Sequence, residues 1–320
     1  MTRAGLIFAC GIGSFFLGLK TVSFAFGELF NRRLKQQLTT VTNNRLWQVF
    51  LLSTLFTSVV QSSSAVTVIG VCLVNSGVLT IADAVALTLG ANVGTTVTAQ
   101  LISLSLRESI VWLLAIGLCS TTISFFLRMR RRQLLFAGLA VSGLGVLLTG
   151  FELLQIALQN LAYLPSFAAV LAWMGGGSVK GFSGGFLITA VVQSSSLVIA
   201  SIISLLRQGQ LGLDAALYAM LGSNVGTSLT TLLAMVGGTK AGKAAALSNL
   251  AFNLISVLMF LPFVGLLRLI VLATSVDPGR QLANAHTIFN LVTATAVLPF
   301  VPWLAGALLQ ITELIHPRED

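Results

Sequence analysis

The stretch Val59-Val60-Gln61-Ser62-Ser63-Ser64 occurs a second time, unchanged, at residues 191–196. The offset between the two copies is 193 − 61 = 132. A second pair has the same offset, since GANVGTT at residues 90–96 recurs as GSNVGTS at residues 222–228. Two motifs at one offset indicate an internal duplication.

The duplication divides the chain into two homologous halves and a remainder. We assign residues 1–130 to the first repeat and residues 131–265 to the second. Residues 266–320 then form a C-terminal extension, for which the apolar pattern predicts one additional transmembrane helix.

The composition limits the class of protein. Of 320 residues, 56% are hydrophobic and only 8% are charged, against about 25% charged residues in a typical soluble domain. A soluble fold would lack the polar side chains to cover its surface, which excludes an ordinary soluble enzyme, a disordered chain and a disulfide-stapled secreted module. The predicted fold class is an all-α polytopic membrane protein. The three cysteines, in apolar stretches without metal-ligand spacing, are predicted to be small core residues.

The charge pattern predicts the location. The net charge is +9, but eight of the 18 basic residues lie in segments 31–45 and 128–132 between apolar stretches, which is the positive-inside pattern. We therefore expect a multi-pass protein of the plasma (inner) membrane, with both basic loops in the cytoplasm. The expected partner is the lipid bilayer and not nucleic acid, and a homodimer is the assembly to test.

The segment around the first Gln-Ser-Ser-Ser motif has two interpretations. Its apolar arms of 14 and 10 residues reach about 21 and 15 Å as helices, short of a ~30 Å hydrocarbon core. As one full span it would place the two basic clusters on opposite faces, whereas a re-entrant hairpin keeps both in the cytoplasm. We therefore predict re-entrant hairpins at about 46–76 and about 179–207. Each half then crosses three times, so the repeats have inverted topology.

The hairpin tips predict an anion site. Serine is a favourable N-cap, and the returning helix exposes its first backbone N–H groups at the tip. Such a helix N-terminus with neighbouring hydroxyls attracts an anion. The alternative is that the serines only bond neighbouring helices. The candidate anion-binding residues are Gln61, Ser62, Ser63, Ser64, Gln193, Ser194, Ser195 and Ser196.

The second motif predicts a cation site. Two glycines around Asn92 and around Asn224 favour unwinding of each helix within the membrane, and freed carbonyls with Asn and Thr oxygens suit Na⁺. The alternative is close helix packing through small residues. The candidate sodium residues are Ser64, Asn92, Thr95, Thr96, Ser196, Asn224, Thr227 and Ser228.

These motifs together resemble the type II sodium-dependent inorganic phosphate cotransporter (Na/Pi) family. The resemblance rests on the duplicated Gln-Ser-Ser-Ser, on the run GANVGTTVTA at residues 90–99 and on the Gly/Phe-rich N-terminal helix, and it covers nearly the whole chain. It implies sodium-coupled symport of inorganic phosphate, with phosphate and Na⁺ bound between the tips and thus as their candidate ligands. The inverted-repeat plan adds alternating access and places this site at the membrane midplane. Na⁺ is then the coupling ion and no other cofactor is expected. The family pattern Ala-His-x-x-Phe-Asn at residues 285–290, and a weaker match at residues 248–253, add His286, Asn290 and Asn253.

Two further residues and three other functions remain open at this point. Lys20 and Glu152 are equivalent positions, since 152 − 20 = 132, so they either pair inside the membrane or each reach their own interface. A carrier of another small anion, such as a dicarboxylate, is the main alternative, although no Arg lies beside either motif. A passive channel is a second alternative. A serine-nucleophile enzyme would need a neighbouring base, and neither histidine is close in sequence to the serines, so no enzyme activity is expected.

Overall fold

The computed structural model describes residues 3–39, 45–75, 77–104, 110–126, 131–161, 164–233 and 239–315. Every regular element within these residues is a helix. Five helical stretches there are long and apolar enough to cross a membrane: residues 3–22, 81–103, 132–158, 240–274 and 278–314. The predicted all-helical membrane class therefore agrees with the structure.

Fourteen helices can be followed through the described residues. In chain order they are α1 (Arg3–Thr39), α2 (Arg45–Val60), α3 (Ser63–Asn75), α4 (Ile81–Ser103), α5 (Ile110–Ser124), α6 (Arg131–Leu161), α7 (Pro165–Gly175), α8 (Ser178–Val192), α9 (Ser195–Arg207), α10 (Leu213–Leu233), α11 (Lys240–Phe260), α12 (Val264–Thr274), α13 (Pro278–Val297) and α14 (Val301–Ile315). Short 3₁₀ turns at Leu261–Phe263 and Leu298–Phe300 precede α12 and α14.

The α1–α6 seam, where Gly11 and Gly18 of α1 pack against Gly143 and Gly150 of α6, joins the repeats. A Cβ atom on Gly18 would lie 2.7 Å from the carbonyl oxygen of Gly143, and one on Gly150 would lie 2.8 Å from that of Gly11. These positions are repeat equivalents, because 143 − 11 and 150 − 18 both equal 132. The contacts run in opposite chain directions, so two equivalent helices pack antiparallel at backbone distance.

Two helical hairpins carry the Gln-Ser-Ser-Ser motifs. α2 and α3 form hairpin one and α8 and α9 form hairpin two, within the segments predicted at about 46–76 and about 179–207. Gln61 and Gln193 have φ values of 59° and 54°, the left-handed conformation that ends a helix. Each Gln donates its backbone N–H to the carbonyl oxygen four residues earlier, at 2.7 Å. The two tips therefore have the same backbone geometry.

The predicted break in the helices at the Gly-x-Asn-Val-Gly motifs is wrong. α4 runs unbroken through residues 90–96, and α10 runs unbroken through residues 222–228. The glycines instead admit a neighbouring backbone, since a Cβ on Gly90 would lie 2.2 Å from the Phe50 carbonyl oxygen. Gly222 lies equally close to α8, because its Cβ would be 2.0 Å from the Phe182 carbonyl oxygen. Small residues here serve helix packing.

The hairpins enter the bundle from opposite ends of α4. α2 begins beside the first half of α4, with Phe50 against Gly90, and α3 leads directly into the start of α4. Hairpin two ends at Arg207, whose guanidinium donates to the carbonyl oxygen of Ser103, the last residue of α4, at 2.8 Å. The open ends of the two hairpins therefore lie at the two ends of one spanning helix.

The predictions for the first basic segment and for the cysteines need correction. Residues 31–39 continue α1 and are not part of a loop, because Leu, Lys, Arg and Gln are good helix formers. Residues 40–44 and 128–130 lie outside the described residues, while Arg132 forms an ion pair with Glu28 of α1. Cys10, Cys72 and Cys119 are exposed, and so are not core residues.

Candidate functional site

The two hairpin tips meet at one cavity of about 330 Å³. All eight candidate phosphate residues line it, together with Val60 and with Phe16, Leu19 and Lys20 of α1. Equivalent positions of the two repeats thus share a single polar space, enclosed on one side by the first helix.

Serine hydroxyls cap both helices that start at the tips. The Oγ atom of Ser62 accepts the backbone N–H of Ala65 at 3.3 Å, and that of Ser194 accepts the N–H of Leu197 at 3.3 Å. Ser195 begins α9, and its equivalent Ser63 begins α3. The N-terminal ends of α3 and α9, where a helix carries its partial positive charge, are therefore both at the cavity.

The two glutamines have the same backbone but different side-chain environments. Gln61 is buried, where its Nε2 donates to the Ser58 carbonyl oxygen and its Oε1 accepts the hydroxyl of Thr98 on α4. Gln193 is exposed. The repeat equivalent of Thr98 is Thr230, because 230 − 98 = 132, and the buried Oγ1 of Thr230 has no hydrogen-bond partner. The Gln–Thr bond therefore joins the first tip to α4, whereas hairpin two is bonded to α10 one turn earlier, where Thr189 donates to Ser223 at 2.8 Å.

The sodium candidates on α4 lie apart from the cavity wall. Asn92, Thr95 and Thr96 are buried, and each donates to a carbonyl oxygen of α4 itself, at 2.9, 3.0 and 2.8 Å. Since the helix is unbroken, its carbonyls are not freed for a cation. Of the predicted sodium set, Ser64 and Ser196 line the cavity.

Two of the three candidates on α10 contact other helices, Asn224 on α13 and Ser228 on α11. Asn224 Oδ1 lies 3.4 Å from Nε2 of the buried His286 on α13, and Ser228 accepts from Asn253 Nδ2 at 2.9 Å. Thr227 donates within α10, at 3.0 Å to the Ser223 carbonyl oxygen. Asn290 Nδ2 donates to the His286 carbonyl oxygen at 2.9 Å. The buried Oδ1 atoms of Asn253 and Asn290 and the buried Nδ1 of His286 have no partner.

A buried polar chain links hairpin one to α10 and α11. Thr67 of α3 and Thr231 of α10 share a hydroxyl hydrogen bond at 3.1 Å, and Asn249 of α11 donates to Thr231 at 2.9 Å. Asn253 donates to Asn249 Oδ1 at 3.1 Å. Sequence reasoning missed this chain and missed Thr98. The repeat offset would have paired Thr98 with Thr230, but Thr67 and Asn249 have no polar equivalent at residues 199 and 117.

Lys20 lies where the motifs provide no reason to expect a cation. The motif-based prediction described an anion site without Lys or Arg, yet Lys20 lines the cavity beside both tips. The antiparallel seam sets Gly18 against Gly143 and Gly11 against Gly150, so Lys20 and Glu152 lie near opposite ends of this contact, too far apart to pair. Glu152 is half-buried on α6 and is not part of the cavity wall.

Comparison with known proteins now identifies the family. Residues 14–156, and again residues 146–295, match the family model described as Na⁺/Pi-cotransporter. The chain belongs to the Na⁺/Pi-cotransporter family. The starts of the two matches differ by 146 − 14 = 132, which is the offset of the motifs. Family membership makes this chain a member of a group of transporters.

Named relatives of this family member come from bacteria and mammals. It is 32% identical over 276 residues to the uncharacterized protein YqeW of Bacillus subtilis, covering 85% of this chain and 84% of the relative. It is 28% identical over 211 residues to the putative inorganic phosphate export protein YjbB of Escherichia coli, covering 66% of this chain and 38% of the relative.

A mammalian relative matches a shorter part of the chain. The sodium-dependent phosphate transport protein 2A of Oryctolagus cuniculus is 37% identical over 90 residues, which is 26% of this chain and 14% of the relative. No solved structure matches this chain.

Proposed function

We propose that this chain is a sodium-coupled symporter of inorganic phosphate, located in the plasma (inner) membrane and working by alternating access. Family membership supports phosphate transport. The observation that carries the proposal is the meeting of both Gln-Ser-Ser-Ser tips at one cavity.

The groups that line the cavity support a phosphate site. Phosphate is a compact anion with several acceptor oxygens, and it binds well at helix N-termini, where backbone N–H groups have no partner within the helix. Two such termini and six serine residues surround this cavity. The hydroxyls of Ser63, Ser64, Ser195 and Ser196 are the direct donors in our proposal, since Ser62 and Ser194 serve as N-caps.

Each tip also brings a helix C-terminus, which attracts cations, next to the helix N-terminus that attracts anions. α2 ends at Val60 and α8 at Val192, so the last carbonyls of these helices, with their partial negative charge, are next to the N-termini of α3 and α9. Half-helix carbonyl ends coordinate Na⁺ in other carriers with inverted repeats. We therefore place Na⁺ at the tips with Ser64 and Ser196. The buried Asn and Thr residues of α4 and α10 do not line the cavity and are not ligands in this proposal.

The packing supports inverted repeats with re-entrant hairpins. The equivalent helices α1 and α6 are antiparallel, as they must be if one half is inserted upside down relative to the other. The open ends of the two hairpins lie at opposite ends of α4. In this proposal each hairpin therefore enters from its own side of the membrane, and the tips meet inside.

The different states of the two glutamines support alternating access. In an inverted-repeat carrier, the second conformation arises when the halves exchange their structures. Here Gln61 bonds Thr98, while Gln193 is exposed and Thr230 lacks a partner. In the opposite-facing conformation we expect Gln193 to bond Thr230 and Gln61 to be released. The unpartnered Thr230 hydroxyl is the group that this exchange would satisfy.

Uptake of ³²P-labelled phosphate into proteoliposomes tests the function. A sodium gradient is expected to drive uptake by the wild type, and the Ser63→Ala, Ser195→Ala double variant is expected to lose most of it. Ser201→Ala is the matched control, because Ser201 lies on α9 but away from the cavity and bonds its own helix at 2.9 Å. Uptake that ignores sodium would contradict the coupling. Full uptake by the double variant would contradict the site.

A carrier of another small anion is the second candidate, and Lys20 favours it. Dicarboxylates usually require a cationic side chain, and the cavity contains one. An excess of succinate should leave phosphate uptake unchanged if phosphate is the substrate, and should abolish it if a dicarboxylate is preferred. Repeating the assay in the same vesicles with the sodium and phosphate gradients reversed measures the direction of transport. The name of the Escherichia coli relative gives that direction as export.

A further inference from the structure

The cavity wall is asymmetric between the repeats. Phe16, Leu19 and Lys20 lie three and four residues apart on α1, so they share one helix face, and all three line the cavity. Lys20 is exposed within this wall. The wall thus adds one lysine to a site otherwise composed of neutral side chains.

The equivalent face of α6 is packed away. The repeat equivalents of the three wall residues are Leu148, Phe151 and Glu152. Leu148 and Phe151 are each 3% exposed, and none of the three lines the cavity. The same helix face therefore borders the polar space in one repeat and faces the core in the other.

A charge reversal accompanies this asymmetry. The wall position is a lysine in the first repeat and a glutamate in the second. If the repeats exchange conformations, the α6 face takes the place that the α1 face occupies here. An anion in the cavity would then meet a carboxylate where it had met an ammonium group, and the sign of the interaction would reverse.

We propose that Lys20 is the fixed cationic contact of the anion cavity in this conformation, and that Glu152 replaces it on the cavity wall in the opposite-facing conformation. The inference rests on the proposed alternating-access function and deepens it. Lys20 strengthens anion binding on one side of the membrane, and Glu152 weakens it on the other, which promotes release and favours a co-bound cation there. The two residues act in turn and not as an ion pair.

The charge contribution is tested by phosphate affinity. Lys20→Gln should raise the apparent KM for phosphate about tenfold on the side to which this conformation opens, the value expected for loss of one charge-assisted hydrogen bond. Lys20→Arg should stay within about threefold of wild type, since it keeps the charge. Lys180→Gln is the matched control, because Lys180 is an exposed lysine at the start of α8, away from the cavity. An unchanged KM in a folded Lys20→Gln variant would overturn the inference.

The replacement of Lys20 by Glu152 on the cavity wall is tested by labelling from each side of the membrane. Lys20→Cys and Glu152→Cys are made separately after Cys10, Cys72 and Cys119 are replaced by serine, since all three are exposed. A membrane-impermeant anionic thiol reagent is applied to right-side-out and to inside-out vesicles. We expect the two cysteines to react from opposite sides. Reaction from the same side, or an unreactive Glu152→Cys, would overturn the exchange.

Protection by added anions separates this inference from the proposed substrate. If phosphate slows labelling of Lys20→Cys, both are supported. If succinate protects and phosphate does not, Lys20 still lies in an anion site, and phosphate is the wrong substrate. If neither anion protects, the inference is overturned, whatever the uptake assay gives.

Discussion

At the scale of single residues, the glycines of α4 set how closely hairpin one can approach. A Cβ at residue 90 would come within 2.2 Å of the Phe50 carbonyl oxygen, a rigid backbone atom. Any side chain at this position must push α2 away from α4. Because hairpin one reaches the cavity along α4, this separation would also displace its tip.

We predict that Gly90→Ala destabilises the protein by about 1–3 kcal/mol, the usual cost of overpacking a tight contact. Thermal unfolding of the detergent-solubilised protein measures this as a lower Tm. Gly13→Ala is the control, since its Cβ would meet no atom within 4 Å and alanine is the better helix former. Equal Tm values for the two variants would argue against the close α2–α4 contact.

Single residues also show what the sequence could and could not predict. The serine caps at Ser62 and Ser194 followed from residue type and position alone, and the structure has both. The pattern of glycines around Asn92 fits an unwound helix and a tightly packed one equally well. Only the neighbouring backbone of α2 decides between them. Lys20 was singled out only as the repeat equivalent of Glu152, because nothing in the chain near it indicates that the tips lie beside it.

At the scale of elements, the hydrogen bond between Gln61 and Thr98 holds the tip of hairpin one against α4. Thr98→Val keeps the shape of the side chain but removes the donor. Thr230→Val removes a hydroxyl that has no partner in this conformation. The two substitutions are equivalent in sequence and should differ in effect.

We expect Thr98→Val to raise amide hydrogen exchange at residues 58–64, because the first tip loses its bond to α4. Thr230→Val should leave amide exchange in both tips unchanged in the conformation described here. It should still slow phosphate uptake, because the expected bond between Gln193 and Thr230 forms only in the opposite-facing conformation. Mass spectrometry of peptides from both tips measures the difference. Identical exchange profiles in the two variants would contradict the proposed alternation.

A second element-scale contact fixes the far end of hairpin two. Arg207 donates to both carboxylate oxygens of Asp277, at 3.0 and 2.6 Å, and Asp277 is also the N-cap of α13. Burial alone would raise the pKa of Asp277, but the hydrogen bonds and charge of Arg207 and the N–H groups of Gly279 and Arg280 lower it overall. The carboxylate therefore stabilises the fold at neutral pH.

Asp277→Asn should lower Tm by roughly 2 °C at pH 7, because asparagine still caps the helix but cannot pair with Arg207. A lowered pKa contributes stability above the usual carboxyl value of 3.8 and loses it as the pH falls through the lowered value. The Tm difference should therefore vanish in acid. Asp214→Asn is the control, because Asp214 is 70% exposed in its pair with Arg268. A pH-independent difference would refute the electrostatic origin.

At the scale of the whole molecule, the arrangement of hairpins predicts a sidedness for the connections. The connection after hairpin one leads into α4 at Ile81, and the connection after hairpin two leads into α10 at Leu213. If the repeats are inverted, these two connections lie on opposite faces of the membrane. From the positive-inside rule we expect the first connection to lie in the cytoplasm.

Single cysteines introduced by Val78→Cys and Gly212→Cys, in a background without the native cysteines, show on which side of the membrane each connection lies. Both positions are exposed, and a Cβ at Gly212 meets no atom within 4 Å. In intact bacterial cells, an impermeant thiol reagent should label Gly212→Cys at once and Val78→Cys only after permeabilisation. Labelling of both in intact cells would rule out opposed hairpins.

The whole-molecule plan was largely predictable, and the C-terminal part was not. The repeat offset and the short arms predicted two hairpins with polar tips at a common site, because both signals are periodic in the chain. α13 lies outside the repeat, so the offset says nothing about its neighbours. The contact of His286 with Asn224 therefore had to come from three-dimensional packing.

The α1–α6 seam described above is self-complementary. Gly11 meets Gly150 and Gly18 meets Gly143, so each glycine of one helix faces the repeat equivalent of the other glycine. This is the rule of a two-fold homodimer interface, in which one surface patch serves both partners. A half-length precursor carrying a single copy of this helix could have paired with an upside-down copy of itself through the same glycines. If the chain arose by fusion of two such copies, the fusion kept an interface that already existed, and residues such as Lys20 and Glu152 were then able to diverge.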